Sequence, residues 1–133
     1  MGSLAPMDKG RHKIVIVDDD RGVRAALGRL LSVSGYAVET FASGDELLAT
    51  DALNDASCLL IDVQLGTASG LDLAADAAVR RSGVPVVLIS ASDAPDLHAQ
   101  ASRGGHAFLR KPFGADELLA AIAAALADGA KRG

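Results

Sequence analysis

The sequence predicts a three-layer α/β fold in which helices cover both faces of a parallel β-sheet. Short apolar segments alternate with segments whose apolar residues recur at helical spacing, and this alternation repeats five times from His12 onward. A series of βα units joined by right-handed crossovers gives a parallel sheet. Residues 58–61 are apolar at every position, as expected for a strand that is covered on both faces.

Composition excludes several classes of protein. Half of the 133 residues are hydrophobic, which argues against a disordered chain and supports one domain with a substantial core. The net charge of −4 argues against direct binding of nucleic acid. No apolar stretch approaches the roughly 20 residues of a membrane span, and the opening segment lacks an apolar signal core. We therefore expect a cytoplasmic protein with no membrane partner.

The expected domain occupies residues 12–128. Residues 1–11 show no periodicity and are expected to form a flexible leader or a non-native remnant, and residues 129–133 a flexible polar tail. The single cysteine, Cys58, lies within an apolar run, so we expect a buried and unreactive thiol.

The first half of the domain is expected to contain two strands and two helices before the apolar run. Residues 13–17 form the first strand. The first helix is Arg21–Val33, because its apolar residues fall on one stripe. A second strand, at the edge of the sheet, is predicted at 36–40. The Ser-x-x-Glu spacing of a capping box predicts a short helix from Ser43 to about Leu48.

The second half is expected to add two strands and three helices. The helix at 93–103 carries a single large apolar residue, Leu97, so it should be the least firmly packed. Acidic residues at 116 and 117 should stabilise the first turn of the last helix through its dipole. The elements are a helix at 71–81, a strand at 86–89, the helix at 93–103, a strand at 107–109 and a last helix whose core stripe is Leu118, Leu119, Ile122 and Leu126.

Four of the five predicted strands end in polar groups. Asp18 and Asp19 follow the first strand, Asp62 the third, Ser90 the fourth and Lys111 the fifth. The carboxyl ends of parallel strands share one edge of the sheet, where open α/β folds bind ligands. Three carboxylates this close repel one another, so without a cation at least one pKa should rise. Mg²⁺ would relieve the repulsion, and with a lysine and a nucleophilic carboxylate it suits phosphoryl transfer.

Five landmarks in this order resemble those of a known family. They are Val17-Asp18-Asp19-Asp20, Leu60-Ile61-Asp62, Gly70, Ile89-Ser90-Ala91 and Lys111-Pro112-Phe113. The chain resembles the receiver domain of bacterial two-component response regulators, the family of the chemotaxis response regulator. The resemblance implies a flavodoxin-like sheet with strand order 2-1-3-4-5. It also implies a signalling phospho-acceptor rather than an enzyme, with only self-catalysed phosphotransfer and autodephosphorylation.

The resemblance assigns a role to each matching residue. Asp62 corresponds to the aspartate phosphorylated by a sensor histidine kinase or phosphotransfer protein. Lys111, whose bond to Pro112 is usually cis in the family, would pair with the phosphoryl group. Ser90 and Phe108 correspond to the switch residues, and Ser90 would also contact the phosphoryl oxygen. The implied Mg²⁺ ligands are Asp18, Asp19, Asp62 and the backbone carbonyl of Gln64.

The resemblance also implies partners, and the sequence departs from the family's pattern at one position. Phosphorylation would alter an output face made of the 93–103 helix, the fifth strand and the last helix. This face could serve an output domain, a partner protein or a phosphorylation-linked homodimer. The family usually has proline where Gly66 stands, so we expect a looser loop there.

Three other functions are weighed against this one. A pseudo-receiver that never takes phosphate is disfavoured by the intact Asp62 and Lys111. An Mg²⁺-dependent phosphatase with an aspartyl nucleophile would need an acid where Gln64 stands. A flavodoxin-like cofactor binder would need a phosphate-cradling loop after the first strand, and none is present.

Overall fold

The computed structural model describes residues 12–91 and 95–132, which form a five-stranded parallel sheet between two layers of helices. The strand order is β2-β1-β3-β4-β5, and each neighbouring pair is parallel. The predicted fold class and strand order are confirmed. The strands are β1 (Lys13–Val17), β2 (Ala37–Phe41), β3 (Cys58–Asp62), β4 (Val86–Ser90) and β5 (Ala107–Arg110).

Each face of the sheet carries its own apolar cluster. Side chains alternate along β3, so that Leu59 and Ile61 face one layer while Cys58 and Leu60 face the other. Helices α1 and α6 cover the Leu60 face, and α2 to α5 cover the Ile61 face. The helices are α1 (Arg21–Val33), α2 (Gly44–Leu48), α3 (Gly70–Ala75), α4 (Ala77–Ser82), α5 (Pro95–Arg103) and α6 (Ala115–Arg132).

Cys58 is fully buried at the start of β3. Burial raises the pKa of its thiol to about 12, although the backbone amide of Leu59 partly opposes this. The predicted burial of the cysteine is confirmed, and the raised pKa favours the unreactive thiol that we expect.

Side-chain caps begin α1 and α2, and the cap of α2 is the predicted capping box. Asp20 Oδ1 accepts a hydrogen bond from Val23 N at 3.0 Å and begins α1. Ser43 Oγ accepts from Glu46 N at 3.1 Å, and Glu46 Oε1 accepts from the backbone N–H just before the cap. These bonds explain why both helices begin where the sequence predicts.

The single helix predicted at 71–81 is wrong, because Asp76 divides it into α3 and α4. The Asp76 backbone is extended, with φ −60° and ψ 140°, and its carboxylate accepts from Ala78 N at 2.9 Å. A short carboxylate that bonds to a nearby N–H competes with the helix and starts a new one. Gly83 then ends α4 with a positive φ of 72°, a conformation that glycine adopts at low cost.

The loop after β3 forms a short hairpin, and the expectation that it is looser than in the family stays a prediction. Gln64–Leu65 and Ala68–Ser69 form a two-stranded antiparallel ladder separate from the main sheet. Gly66 turns the chain with a φ of +63°, which proline cannot adopt because its ring fixes φ near −65°. The glycine at this position therefore permits a tight turn.

The last helix extends through Arg132, so the tail expected from residue 129 is helical in the described part of the chain. An ideal Cβ on Gly129 would lie 3.3 Å from Pro85 Cγ, so the helix packs closely against the loop before β4 at this point. The leader expected at 1–11 and the first two residues of the helix predicted at 93–103 lie outside the described residues. Within those residues, no helix is long and apolar enough to cross a membrane.

Candidate functional site

The polar strand ends meet at one edge of the sheet. Asp62 pairs with Ile89 in the register of β3 and β4, and Lys111 N donates to Ser90 O at 2.8 Å. In the described residues the buried polar or charged side chains are Asp18, Asp62 and Ser90, with exposures of 2%, 8% and 3%. All three belong to this edge. Buried polar groups are costly, so their concentration here marks the candidate site.

Lys111 forms an ion pair with Asp62. Its Nζ donates to Asp62 Oδ2 at 2.8 Å, and the other carboxylate oxygen, Oδ1, accepts from Gln64 N at 2.7 Å. Partial burial alone would lower the pKa of Lys111. The hydrogen bond and negative charge of Asp62 outweigh this, with Asp18 adding to them, and the pKa of Lys111 is raised. The bond between Lys111 and Pro112 is cis, as the resemblance implied.

Asp18 lies beside Asp62 and is held mainly by backbone groups. Its N–H donates to Phe41 O at 3.1 Å, and its Oδ1 accepts from Asp20 N at 2.9 Å. Burial raises the pKa of Asp18 to about 6, and the negative charge of Asp62 adds to this. The Asp20 amide and the charge of Lys111 act in the opposite direction. The rise expected for one carboxylate of the group is therefore found at Asp18.

Gly70 allows the chain to pass directly over Asp62. An ideal Cβ at Gly70 would lie 2.1 Å from Asp62 O and 2.8 Å from Ile61 Cγ2, so no other residue fits without moving the backbone. Gly70 N also donates to Val63 O at 2.7 Å. From sequence Gly70 was only a landmark; the structure explains its presence by this close approach.

The donor set suits Mg²⁺ without forming a complete cage. Asp18 and Asp62 are in contact, whereas Asp19 is exposed, and its Oδ2 lies 3.7 Å from an ideal Cβ on Gly66. Across the described residues, no group of three or more His, Cys, Asp or Glu side chains is arranged to hold a metal. Mg²⁺ commonly uses one or two carboxylates and keeps several waters, so two adjacent carboxylates and the Gln64 carbonyl fit its chemistry.

Phe108 contacts His98, an exposed residue of α5 that is not among the predicted site residues. The Phe108 ring is half-buried, and its centroid lies 4.1 Å from that of His98, with the planes tilted by 36°. Phe108 also packs at the border of the apolar cluster that contains Ile61. His98 was missed because its contact depends on how α5 lies against β5.

Arg24 is a second contact that the sequence did not predict. Its Nη1 donates to the backbone carbonyl of Asp18 at 2.7 Å. The sequence offers one signal for this contact: Arg24 is a cation in the first turn of a helix, where the dipole disfavours positive charge. Asp18, Asp62, Ser90 and Lys111 are thus brought together as predicted, while Asp19 lies at the exposed rim.

Comparison with known proteins identifies the class to which this fold and acidic edge belong. Residues 14–123 match the response regulator receiver domain family, and the chain belongs to that family. It is therefore a receiver domain of the two-component response regulators.

Particular relatives share this domain at moderate identity. The chain is 35% identical over 115 residues to response regulator MprA of Mycobacterium sp. (strain KMS), covering 86% of this chain and 50% of the relative. It thus spans about half the length of the curated relatives it matches. A CheY-like receiver domain protein from Methanospirillum hungatei JF-1 is 26% identical, with a TM-score of 0.80 over 92% of this chain and 98% of that one.

A third similar protein shares the fold alone. TrrA of Thermotoga maritima, solved in complex with Mg(2+)-BeF, is 23% identical, with a TM-score of 0.75 over 86% of this chain and 99% of that one.

Proposed function

We propose that this receiver domain accepts a phosphoryl group on Asp62 in an Mg²⁺-dependent reaction. The donor would be the phosphohistidine of a sensor histidine kinase or of a phosphotransfer protein. The observation that carries the proposal is the 2.8 Å pair of Lys111 Nζ and Asp62 Oδ2 beside a second buried carboxylate, Asp18. A nucleophile, a fixed cation and a metal-binding acid are the groups that such a transfer requires.

The nucleophile is a carboxylate oxygen of Asp62. It forms a bond to phosphorus while the P–N bond of the donor breaks and its electron pair returns to the imidazole. Lys111 already contacts this carboxylate, so its Nζ can move to a phosphoryl oxygen without leaving the site. The Ser90 hydroxyl, buried at the neighbouring strand end, would contact a second phosphoryl oxygen.

Asp18, Asp19, Asp62 and the Gln64 carbonyl would hold the metal. When bound, Mg²⁺ would offset negative charge on the phosphoryl group and on the carboxylates. The raised pKa of Asp18 supports this assignment, because a buried carboxylate that resists ionisation gains most from a cation. TrrA is described with Mg(2+)-BeF, so a protein of this fold is found with that metal.

The proposed switch residues are Ser90 and Phe108. Phosphorylation would draw both side chains toward the site and change how α5 packs on β5. Leu97 is the only large apolar residue of α5, and most of its described side chains are exposed. An element with few buried contacts costs little to move. The output face would be α5, β5 and α6.

The proposed partners follow from this face. Because the curated relatives are about twice as long as the matched region, an output domain or a partner protein could read the face, as could a second copy of the chain. We place the domain at residues 12–128 in the cytoplasm, where histidine kinases act on their receivers. A phosphorylation-independent pseudo-receiver is less well supported, because Asp62, Ser90 and Lys111 are all present and adjacent.

Acetyl phosphate with Mg²⁺ tests the proposal directly. The wild-type protein should gain one acid-labile, hydroxylamine-sensitive phosphoryl group, measured by intact mass and by Phos-tag gels. Asp62→Asn should gain none while its circular dichroism is unchanged. Asp51→Asn is the matched control, because Asp51 is exposed and caps no helix with its side chain. Full labelling of Asp62→Asn would refute the assignment.

A further inference from the structure

The carbonyl of Asp18 lies where the β1–β2 ladder stops. On this edge Ala37 N donates to His12 O, and Asp18 N donates to Phe41 O. Parallel ladders repeat every two residues, so the next bond would run from Ser43 N to Asp18 O. The chain instead turns at Ser43 to cap α2. The Asp18 carbonyl accepts from Arg24 Nη1 at 2.7 Å in place of that ladder bond.

Arg24 occupies a place that the helix itself disfavours. It lies in the first turn of α1, where the dipole is positive, and that turn contains no acidic residue. Its side chain is half-buried in a groove between α1 and β2 that Val38 and Thr40 also line. A cation held there against the dipole needs a compensating interaction, and the Asp18 carbonyl supplies one.

We propose that Arg24 is a positioning residue, which fixes the Asp18 backbone and so aims the two acidic side chains, Asp18 and Asp19, at the metal. Asp18 is otherwise tied by its own N–H to Phe41 O and by its Oδ1 to Asp20 N. Arg24 adds a side-chain donor to the Asp18 backbone carbonyl from the neighbouring helix. The inference rests on the proposed function, because it concerns the same Mg²⁺ site.

An effect of Arg24 through its charge and an effect through its position predict opposite changes in Mg²⁺ affinity when Arg24 is replaced. If Arg24 mattered only as a nearby positive charge, removing it would strengthen Mg²⁺ binding, since cations repel. If it holds the Asp18 backbone in place, removing it should weaken Mg²⁺ binding despite the gain in electrostatics. The Mg²⁺ affinity should fall roughly tenfold, which is at the lower end of the effect of residues that hydrogen-bond to a metal ligand.

MgCl₂ titration of ¹⁵N-labelled protein, followed by amide chemical shifts, measures this dissociation constant. Arg24→Met should raise it about tenfold, and Arg24→Lys, which keeps the charge and one donor, should raise it less. Arg29→Met is the matched control, because Arg29 is an exposed arginine five residues farther along α1. It should leave the constant unchanged. If Arg24→Met does not fold, Arg24→Gln makes the same test. Glutamine is a neutral donor, and we expect the Arg24→Gln protein to bind Mg²⁺ more weakly than the wild type.

A second readout separates positioning from general damage. With acetyl phosphate, Arg24→Met should need about tenfold more Mg²⁺ for half-maximal labelling and should approach the wild-type rate at saturating Mg²⁺. Unchanged or tighter Mg²⁺ binding in Arg24→Met would overturn the inference while leaving the proposed function intact. A wild-type protein that neither binds Mg²⁺ nor takes label would instead overturn the proposed function.

Discussion

Lys111 and Asp62 form an ion pair at 2.8 Å, although the two residues are 49 positions apart in sequence and lie on different strand ends. The Asp62 carboxyl is almost buried, whereas the Lys111 side chain is 30% exposed, so the pair lies at the mouth of the site rather than inside the core. Its charge also faces Asp18, which places one cation against two neighbouring carboxylates. Lys111 therefore stabilises the buried carboxylates of this edge, and under the proposed function it would also pair with the phosphoryl group on Asp62.

Lys111→Met should reveal both roles. We expect the free energy of unfolding to fall by about 1 to 2 kcal/mol, less than for a fully buried pair because Lys111 is partly solvated. Labelling by acetyl phosphate should be strongly reduced, because Asp62 remains but the cation does not. Urea denaturation and intact mass measure the two effects.

Lys13→Met is the control for that change. Lys13 pairs with Glu39 and Asp55 at the opposite end of β1, where Asp55 is exposed and Glu39 is partly exposed. It should cost at most about 1 kcal/mol and leave labelling unchanged. Equal loss of labelling in both variants would show that the effect of Lys111→Met is unspecific.

The pKa of Asp18 predicts a pH dependence of stability in metal-free protein. The unfolded carboxyl ionises near 3.8, but the folded one holds its proton until about 6, so the folded state binds more protons between these values. The free energy of unfolding should therefore fall as pH rises from about 4 to about 6, by at most about 3 kcal/mol.

Asp18→Asn should remove most of that slope, and urea denaturation at several pH values in EDTA measures it. Asp51→Asn should keep the wild-type slope. Saturating MgCl₂ should reverse the trend in the wild type, because the metal favours the ionised carboxyl. A slope that survives unchanged in Asp18→Asn would assign it to another group.

Gly70→Ala should damage the site through the backbone. Its added methyl would lie 2.1 Å from Asp62 O, so either α3 or the end of β3 must move. We expect a loss of more than about 2 kcal/mol in stability, typical of severe overpacking, together with slower labelling. Thermal unfolding and labelling rates provide the measurements.

Gly28→Ala provides the contrasting glycine. An ideal Cβ there meets Val38 Cγ1 at 3.7 Å, which is ordinary contact, and the residue lies within α1. Alanine should be neutral or stabilising by up to about 1 kcal/mol. A wild-type-like Gly70→Ala protein would mean that the segment over Asp62 is freer than the geometry indicates.

His98→Ala should loosen α5 on β5. The aromatic contact with Phe108 is exposed on the His98 side, so its loss should cost less than about 1 kcal/mol. Amide hydrogen exchange in α5 should accelerate about two- to fivefold, and His98→Phe should restore it. Gln100→Ala, an exposed change on the same helix, should not alter exchange. Unchanged exchange in His98→Ala would show that the ring contact does not hold the helix.

The sheet and the acidic edge could be predicted because their signals are local. Apolar and alternating segments predict the strands to within about one residue, and the apolar stripe of residues 21–33 predicts the bounds of α1. Parallel strands must gather their carboxyl ends, so Asp18, Asp62 and Lys111 could be placed together without coordinates.

The remaining features depend on contacts between elements. The break at Asp76 was hidden because the apolar spacing continues across it, while a single side-chain hydrogen bond decides the outcome. The contacts of Arg24 with Asp18 and of His98 with Phe108 depend on where β2 ends and how α5 rotates. The turn at Gly66 depends on a positive φ. Glycine in place of the family's proline allows this conformation but does not predict it.

The state of Cys58 has a practical consequence for measuring this protein. A fully buried thiol with a pKa of about 12 is almost entirely protonated at neutral pH. Maleimide and iodoacetamide reagents should therefore not react with it in the folded chain. A cysteine introduced at the exposed hairpin tip, as in Thr67→Cys, would then be the reactive thiol of the described residues. A fluorophore attached there would report on the site from its rim, with the native cysteine left in place.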